Sequence, residues 1–228
     1  MRNLVALLIL FGCAYKTDFS DGKSLVGVRY LSSPLGEGVV PDADPLMRFD
    51  AFDCTTFVET VLADGDVKKL NKIRYKNDKV DFINRNHFIE TDWLKNNSDI
   101  VENISHKFGK VDIRTVVIDK KSWFKTVHNV DVDFAPETVN LEYIPYENIS
   151  NLELNKTHVV LFVADNPKIR DKIGTDLAIV HMGLLLPNGV LRHASSEQGM
   201  VVDVDFKDYV LQRQRTKTNI GIVILEIK

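Results

Sequence analysis

Residues 49 to 63, "FDAFDCTTFVETVLA", place a thiol where an apolar helical pattern begins. Phe57, Val58, Val61 and Leu62 fall on one helical face, and Asp53 stands ahead of them in the N-cap position. A cysteine at the first helical position meets unpaired backbone amides and the positive end of the helix dipole. Both favour thiolate over thiol, and the same amides can receive a developing oxyanion. Cysteine is also among the most buried residue types, so the helix by itself leaves Cys54 open between nucleophile and core residue. The decision needs a base.

Six histidines are available. His106 and His128 lie in polar surroundings and read as solvated surface residues, while His158 opens an apolar run and reads as structural. His181 and His193 occupy the two arms of "VHMGLLLPNGVLRHAS", in which Pro187-Asn188-Gly189 between apolar runs predicts a tight hairpin. From Asn188, His181 lies seven residues back (188 − 181) and His193 five forward (193 − 188), an even offset of two. Side chains alternate faces with period two, so both imidazoles share a face. His193 can then orient His181, and His181 can face a nucleophile brought by another element. A zinc site built from Cys54, His181, His193 and a carboxylate competes with this reading. No close-spaced pair such as Cys-x-x-Cys or His-x-x-x-His occurs, and a metal would cancel the benefit of the helix terminus, so neither metal nor cofactor is expected.

The elements that must carry these residues are legible in outline. "THVVLFVAD", "LAIVHMGLLL", "GVLRHAS", "GMVVDV" and "NIGIVILEI" are β-rich runs divided by turn residues. With the cysteine helix ahead of them, they predict an α+β domain whose helix packs on an antiparallel sheet. The middle, residues 64 to 155, is more charged and aromatic and predicts short helices and loops, with strands at "VDIRTVVIDK" and "VNLEYIPY". No glycine-rich phosphate loop follows a strand-like run, which argues against nucleotide binding. A net charge of −3 over 228 residues supplies no basic field for nucleic acid.

The first residues offer Arg2, an apolar run from Leu4 to Phe11 too short to span a bilayer, then Gly12 and Cys13. This reads as a secretion signal, and a small residue before a cysteine also resembles a bacterial lipoprotein cleavage site with Cys13 as the lipid-bearing residue. A plain signal peptide or a first apolar element of the fold are the alternatives. Residues 1–22 are therefore assigned as leader and tether, and 23–228 as a single domain. With Cys13 lipidated or removed, Cys54 has no intrachain disulfide partner.

Together, "DCTTFVE" and the later "HMGLLLPNGVLRHASS" resemble the NlpC-type, papain-like cell-wall cysteine hydrolases. The Thr-Thr-Phe-Val-Glu continuation, "GVRYLSSPLG" and "NRNHFIETDW" are similar to the N-acetylmuramoyl-L-alanine amidase-like branch of that superfamily, from Gly27 to Tyr209. The resemblance implies a papain-like fold with a helical and loop insertion in the middle of the chain. It implies hydrolysis of the amide joining the lactyl group of muramic acid to L-Ala in small peptidoglycan fragments, with an anhydro-sugar end preferred. It also implies an exported, periplasmic location in a bacterial envelope.

Carried onto this sequence, the resemblance makes Cys54 the nucleophile, His181 the base and His193 the orienting group. Tyr30 lines the site, and Asp53 and Ser195 join it as substrate-binding positions. Arg85, His87, Asp92 and Trp93 fall in an "R-x-H-x-x-x-x-D-W" stretch, where a guanidinium and an indole face could hold sugar and peptide acid. The plainer reading makes Trp93 core and Arg85 with Asp92 a surface ion pair. Thr55 and Thr56 stand where Ser-Gly is common in the superfamily. A stem-peptide endopeptidase and a non-catalytic, muropeptide-binding lipoprotein are the alternative functions.

Overall fold

Alternating and continuous apolar runs assemble into one sheet that carries the helices on its faces. The structure, a computed structural model, describes residues 19–149 and 152–228; the apolar leader and Cys13 lie outside the described residues. In chain order the elements are β1 (Arg29–Tyr30), β2 (Ala51–Phe52), α1 (Cys54–Leu62), α2 (Val67–Arg74), α3 (Leu94–Asn96), β3 (Val101–Asn103), β4 (Asp112–Ile118) and α4 (Lys120–Trp123). There follow β5 (Glu137–Pro145), β6 (His158–Ala164), α5 (Ile169–Ile173), β7 (Ile179–Leu185), β8 (Val190–Ser195), β9 (Met200–Asp205), α6 (Phe206–Gln214) and β10 (Asn219–Ile227). No helix among the described residues is long and apolar enough to cross a membrane.

The strand order is β2-β1-β9-β8-β7-β6-β10-β5-β4, with β3 also paired to β10. Every pairing is antiparallel except that of β1 with β2. Strand β6 is buried along its whole length because both faces of the sheet are covered, which explains its unbroken apolar sequence. Leu161, Val163, Met182, Leu184 and Val223 pack with Phe57, Val58 and Val61 of α1 on one face. Val160, Phe162, Leu191, Ile222 and Ile224 pack with Phe206 and Val210 of α6 on the other. Each such side chain, fully buried, stabilises the fold by about 1.5–3 kcal/mol relative to exposure.

The hairpin turns where the sequence places it: Leu186 N–H bonds Val190 O at 2.9 Å, Gly189 N–H bonds Leu186 O at 3.0 Å, and Gly189 takes φ 78°. Helix α6 was not expected. It buries only Phe206 and Val210, a stripe too narrow to stand out, and is started by Asp205, which accepts from Asp208 N at 2.9 Å.

Candidate active site

The start of α1 is held by a reciprocal cap. Asp53 Oδ1 accepts from Thr56 N at 2.8 Å and from the Thr56 hydroxyl at 2.7 Å, while Asp53 N–H donates back to Thr56 Oγ1 at 3.0 Å. Thr56, a departure from the superfamily pattern, thus completes a capping box. Asp53 Oδ2 accepts from Ser33 N at 3.1 Å, tying the preceding loop to the helix. Parallel pairing of Tyr30 with Phe52 sets Tyr30 beside Asp53 and Cys54, and burial, followed by electrostatic interaction with both neighbours, pushes its phenol up.

Cys54 is a half-buried free cysteine. Against the pull of the helix terminus, burial first, then the Asp53 carboxylate, push its thiol up to about 11. Smaller downward contributions come from hydrogen bonds to the Met182 amide and to Thr55, whose Oγ1 lies 3.9 Å from the sulfur. A helix terminus lowers a thiol's pKa only while desolvation and a neighbouring carboxylate do not outweigh it.

The sulfur therefore meets β7 at Met182, next in sequence to His181. His181 Nε2 lies 2.8 Å from His193 Nδ1, and the ring planes cross at 84°. Both rings project to the α6 face, where His181 sits opposite Phe162 on β6. Gly183 permits this approach: a Cβ there would stand 2.9 Å from the His193 Cβ and 3.0 Å from Arg192 O. Tyr209 of α6 lies 5.0 Å from the His193 ring and 6.2 Å from that of His181, and Cys54 acts electrostatically on its phenol. Burial holds His181 down to about 3 and His193 to about 4, with Arg213 adding to both shifts. Burial thus favours the neutral forms of the thiol and of both imidazoles.

Beside Thr55 opens a cavity of about 270 Å³ whose wall includes Ser33, Arg85, His87, Trp123 and His128. A larger one, about 500 Å³ between α2 and the C-terminal residues, contains none of these side chains. Arg85 donates from Nε and Nη2 to the two Glu37 carboxylate oxygens at 2.8 and 2.6 Å, and from Nη2 to Asp42 at 2.8 Å. His87 packs 4.9 Å from Trp123, its Nε2 is 2.7 Å from Phe82 O, and burial pushes its imidazole down to about 3. Among the described residues, no group of three or more His, Cys, Asp or Glu is arranged to hold a metal ion.

A family model described as AmiA-like, N-acetylmuramoyl-L-alanine amidase-like, matches residues 21–220. The chain belongs to the N-acetylmuramoyl-L-alanine amidase-like family. A search of curated proteins finds no match. Among solved structures, a Legionella pneumophila protein superposes with a TM-score of 0.78 at 28% identity, over 89% of this chain and 85% of the other. A Bacteroides uniformis N-acetylmuramoyl-L-alanine amidase superposes with a TM-score of 0.70 at 22% identity, over 93% of this chain and 99% of the other.

In this amidase-like chain, Tyr30 stands beside Asp53 and Cys54, His181 pairs with His193, and Asp53, Arg85 and His87 line the cavity beside Thr55. Trp93, Asp92 and Ser195 are not on that cavity's wall. Trp93 is 0% exposed, with Nε1 donating to Glu59 Oε1 at 3.1 Å, so its indole has no face for a ligand. Asp92 forms an ion pair with Lys120 rather than with Arg85, and shares a second cavity, of about 110 Å³, with Arg85 and His87. Ser195 is buried and accepts from Gln198 N at 3.1 Å, closing the turn into β9. His106 and His158 behave as expected, the first exposed and the second buried at the start of β6. His128 is exposed too, and it also packs 4.7 Å from Trp123 on the cavity wall. Sequence reasoning missed Trp123 and Tyr209, since neither lies near a recognisable motif. Only the apolar spacing of Phe206 and Val210 could have raised the helix that carries Tyr209.

Proposed function

We propose that the protein is a papain-like cysteine amidase that cleaves the bond between the muramic acid lactyl group and L-Ala in peptidoglycan fragments. Membership of the amidase-like family supports the substrate class. The observation that carries the chemistry is the capped Cys54 meeting β7 beside His181, with His181 Nε2 held by His193 Nδ1 at 2.8 Å. That contact engages Nε2 and leaves Nδ1 of His181 for the sulfur.

The reaction then starts from neutral partners. His181 Nδ1 takes the thiol proton as the sulfur attacks the lactyl carbonyl, so thiolate and imidazolium arise together, and only with substrate in place. The Cys54 amide, left over by the Asp53–Thr56 cap, and the Tyr30 hydroxyl donate to the oxyanion. His181 returns its proton to the L-Ala nitrogen as the C–N bond breaks. Water, deprotonated by His181, then opens the thioester to give the sugar carboxylate, and the proton goes back to sulfur. His193 keeps His181 in the required tautomer and orientation, and Tyr209 closes the aromatic side of the pair.

The cavity beside Thr55 suits a neutral sugar, with Trp123 and His128 for its apolar face. The Arg85 guanidinium is neutralised by two carboxylates and is therefore a hydrogen-bonding rim rather than a free cation. The Gly12-Cys13 sequence further supports export to the envelope and a lipid tether. Product analysis by mass spectrometry on a defined muropeptide tests the reading. Free sugar and intact peptide are expected. A sugar still bearing a dipeptide would redirect the activity to the stem peptide, and undiminished cleavage by Cys54→Ser would remove the cysteine mechanism.

A further inference from the structure

Strand β7 carries an irregularity just before His181. Phe162 of β6 pairs with His181 and Val163 pairs with Ile179, so Val180 is an extra residue bulged out of the ladder. Beside that bulge, the backbone amides of Ala178 and Ile179 turn away from strand partners and donate to one side-chain oxygen, Glu90 Oε1, each at 2.7 Å. Glu90 is 5% exposed, and its other oxygen, Oε2, is buried with no hydrogen-bond partner. It is presented by a π-helical turn, Ile89–Trp93, in which Trp93 N–H reaches back to Phe88 O at 3.0 Å. Such turns cost helical regularity and recur at functional sites. A buried carboxylate with a spare acceptor is an expensive way to satisfy two amides, which a further strand residue would do more cheaply.

From this we infer that Glu90 is a positioning residue: by clamping the two amides that precede the Val180 bulge, it fixes where β7 delivers His181. The inserted middle segment is thereby coupled to the base of a site on which it places no reacting group. The inference rests on His181 acting as the base for Cys54. Displacing a base by about 1 Å costs up to about a hundredfold in rate while leaving substrate contacts in place.

The test uses the full chain, with active sites counted from alkylation of the Cys54 peptide, resolved from that of Cys13 by mass spectrometry. Glu90→Leu removes the acceptor. It should lower kcat per titrated site about ten- to hundredfold with KM within about twofold, and should raise hydrogen exchange at Ala178 and Ile179. Glu90→Asp keeps the charge but withdraws it by one methylene, and should lower kcat about tenfold. Glu90→Gln keeps an acceptor at the same reach and should retain at least about a third of wild-type kcat, a rescue that stands if the leucine variant does not fold. A purely structural role would lower the melting temperature and leave kcat per titrated site unchanged in the aspartate and glutamine variants, which would overturn the inference. Should His181→Ala itself cleave the muropeptide at the wild-type rate, the parent reading fails instead, and the two failures are distinct.

Discussion

The two ends of helix α1 solve opposite electrostatic problems. At its start, Cys54, His181 and His193 are held neutral by burial, with no carboxylate paired to either imidazole. A turn and a half later, on the same helix, Glu59 is a buried charge: Arg74 Nη1 donates to it at 2.7 Å and Trp93 Nε1 at 3.1 Å, with side chains only 2% and 5% exposed in the ion pair. The cavity wall follows the second pattern, with Arg85 clamped between Glu37 and Asp42. The contrast teaches that low dielectric does different work in the two places. Uncompensated burial favours the uncharged thiol and imidazoles, whereas compensated burial fixes the geometry of the wall.

The strongest challenge to that contrast is Cys54→Ala. If the neutral end is the reacting one, muropeptide cleavage should fall by about 10⁴-fold or more with the fold intact, measured by product formation and circular dichroism. At the charged end the loss should be in stability. Arg74→Met leaves Glu59 buried and unpaired and should cost about 3–5 kcal/mol in urea unfolding, while Arg74→Met with Glu59→Leu should recover most of it. Equal costs for the single and double variants would mean that the pair is not electrostatically coupled.

Gly183→Val sharpens the neutral end specifically. A Cβ there meets the His193 Cβ and Arg192 O, so about 1–3 kcal/mol of overpacking is expected, with a disproportionate loss of kcat as His193 is pushed off His181. The remaining test is the pH dependence of stability. His181 and His87, held near 3 in the fold, and His193, held near 4, bind protons at the ordinary 6.5 once unfolded. Between about 6.5 and 3 the unfolded chain carries more protons, so stability rises with pH across that window and is lost as pH falls through it. Urea midpoints across the window should show this slope, and His87→Gln should flatten it by about one proton.

The strands and the histidine pair were legible because each is a local pattern. Short β-rich runs divided by turn residues mark β6 to β10, and Pro187-Asn188-Gly189 fixes the turn that sets the His181–His193 offset. In the "R-x-H-x-x-x-x-D-W" stretch, Arg85, His87 and Asp92 share one cavity wall, but their partners come from distant segments. Arg85 finds carboxylates almost fifty residues upstream at Glu37, Asp92 finds Lys120, and the indole on the cavity is Trp123 rather than Trp93. None of those pairings has a sequence period.

The state of the cysteine was beyond local reading for the same reason. An N-cap aspartate and a helix start are visible in sequence, and they argue for a thiolate. How much water reaches the sulfur depends on β7 and its neighbours closing around it, and that closure reverses the sign. By itself, then, the sequence determined which residues could react and which face of a hairpin they share, because alternation and capping act over a few residues. Only the tertiary structure decided their charge, the partners of the buried ions and the clamp of Glu90 on β7, because desolvation and long-range pairing exist only once the chain has closed on itself.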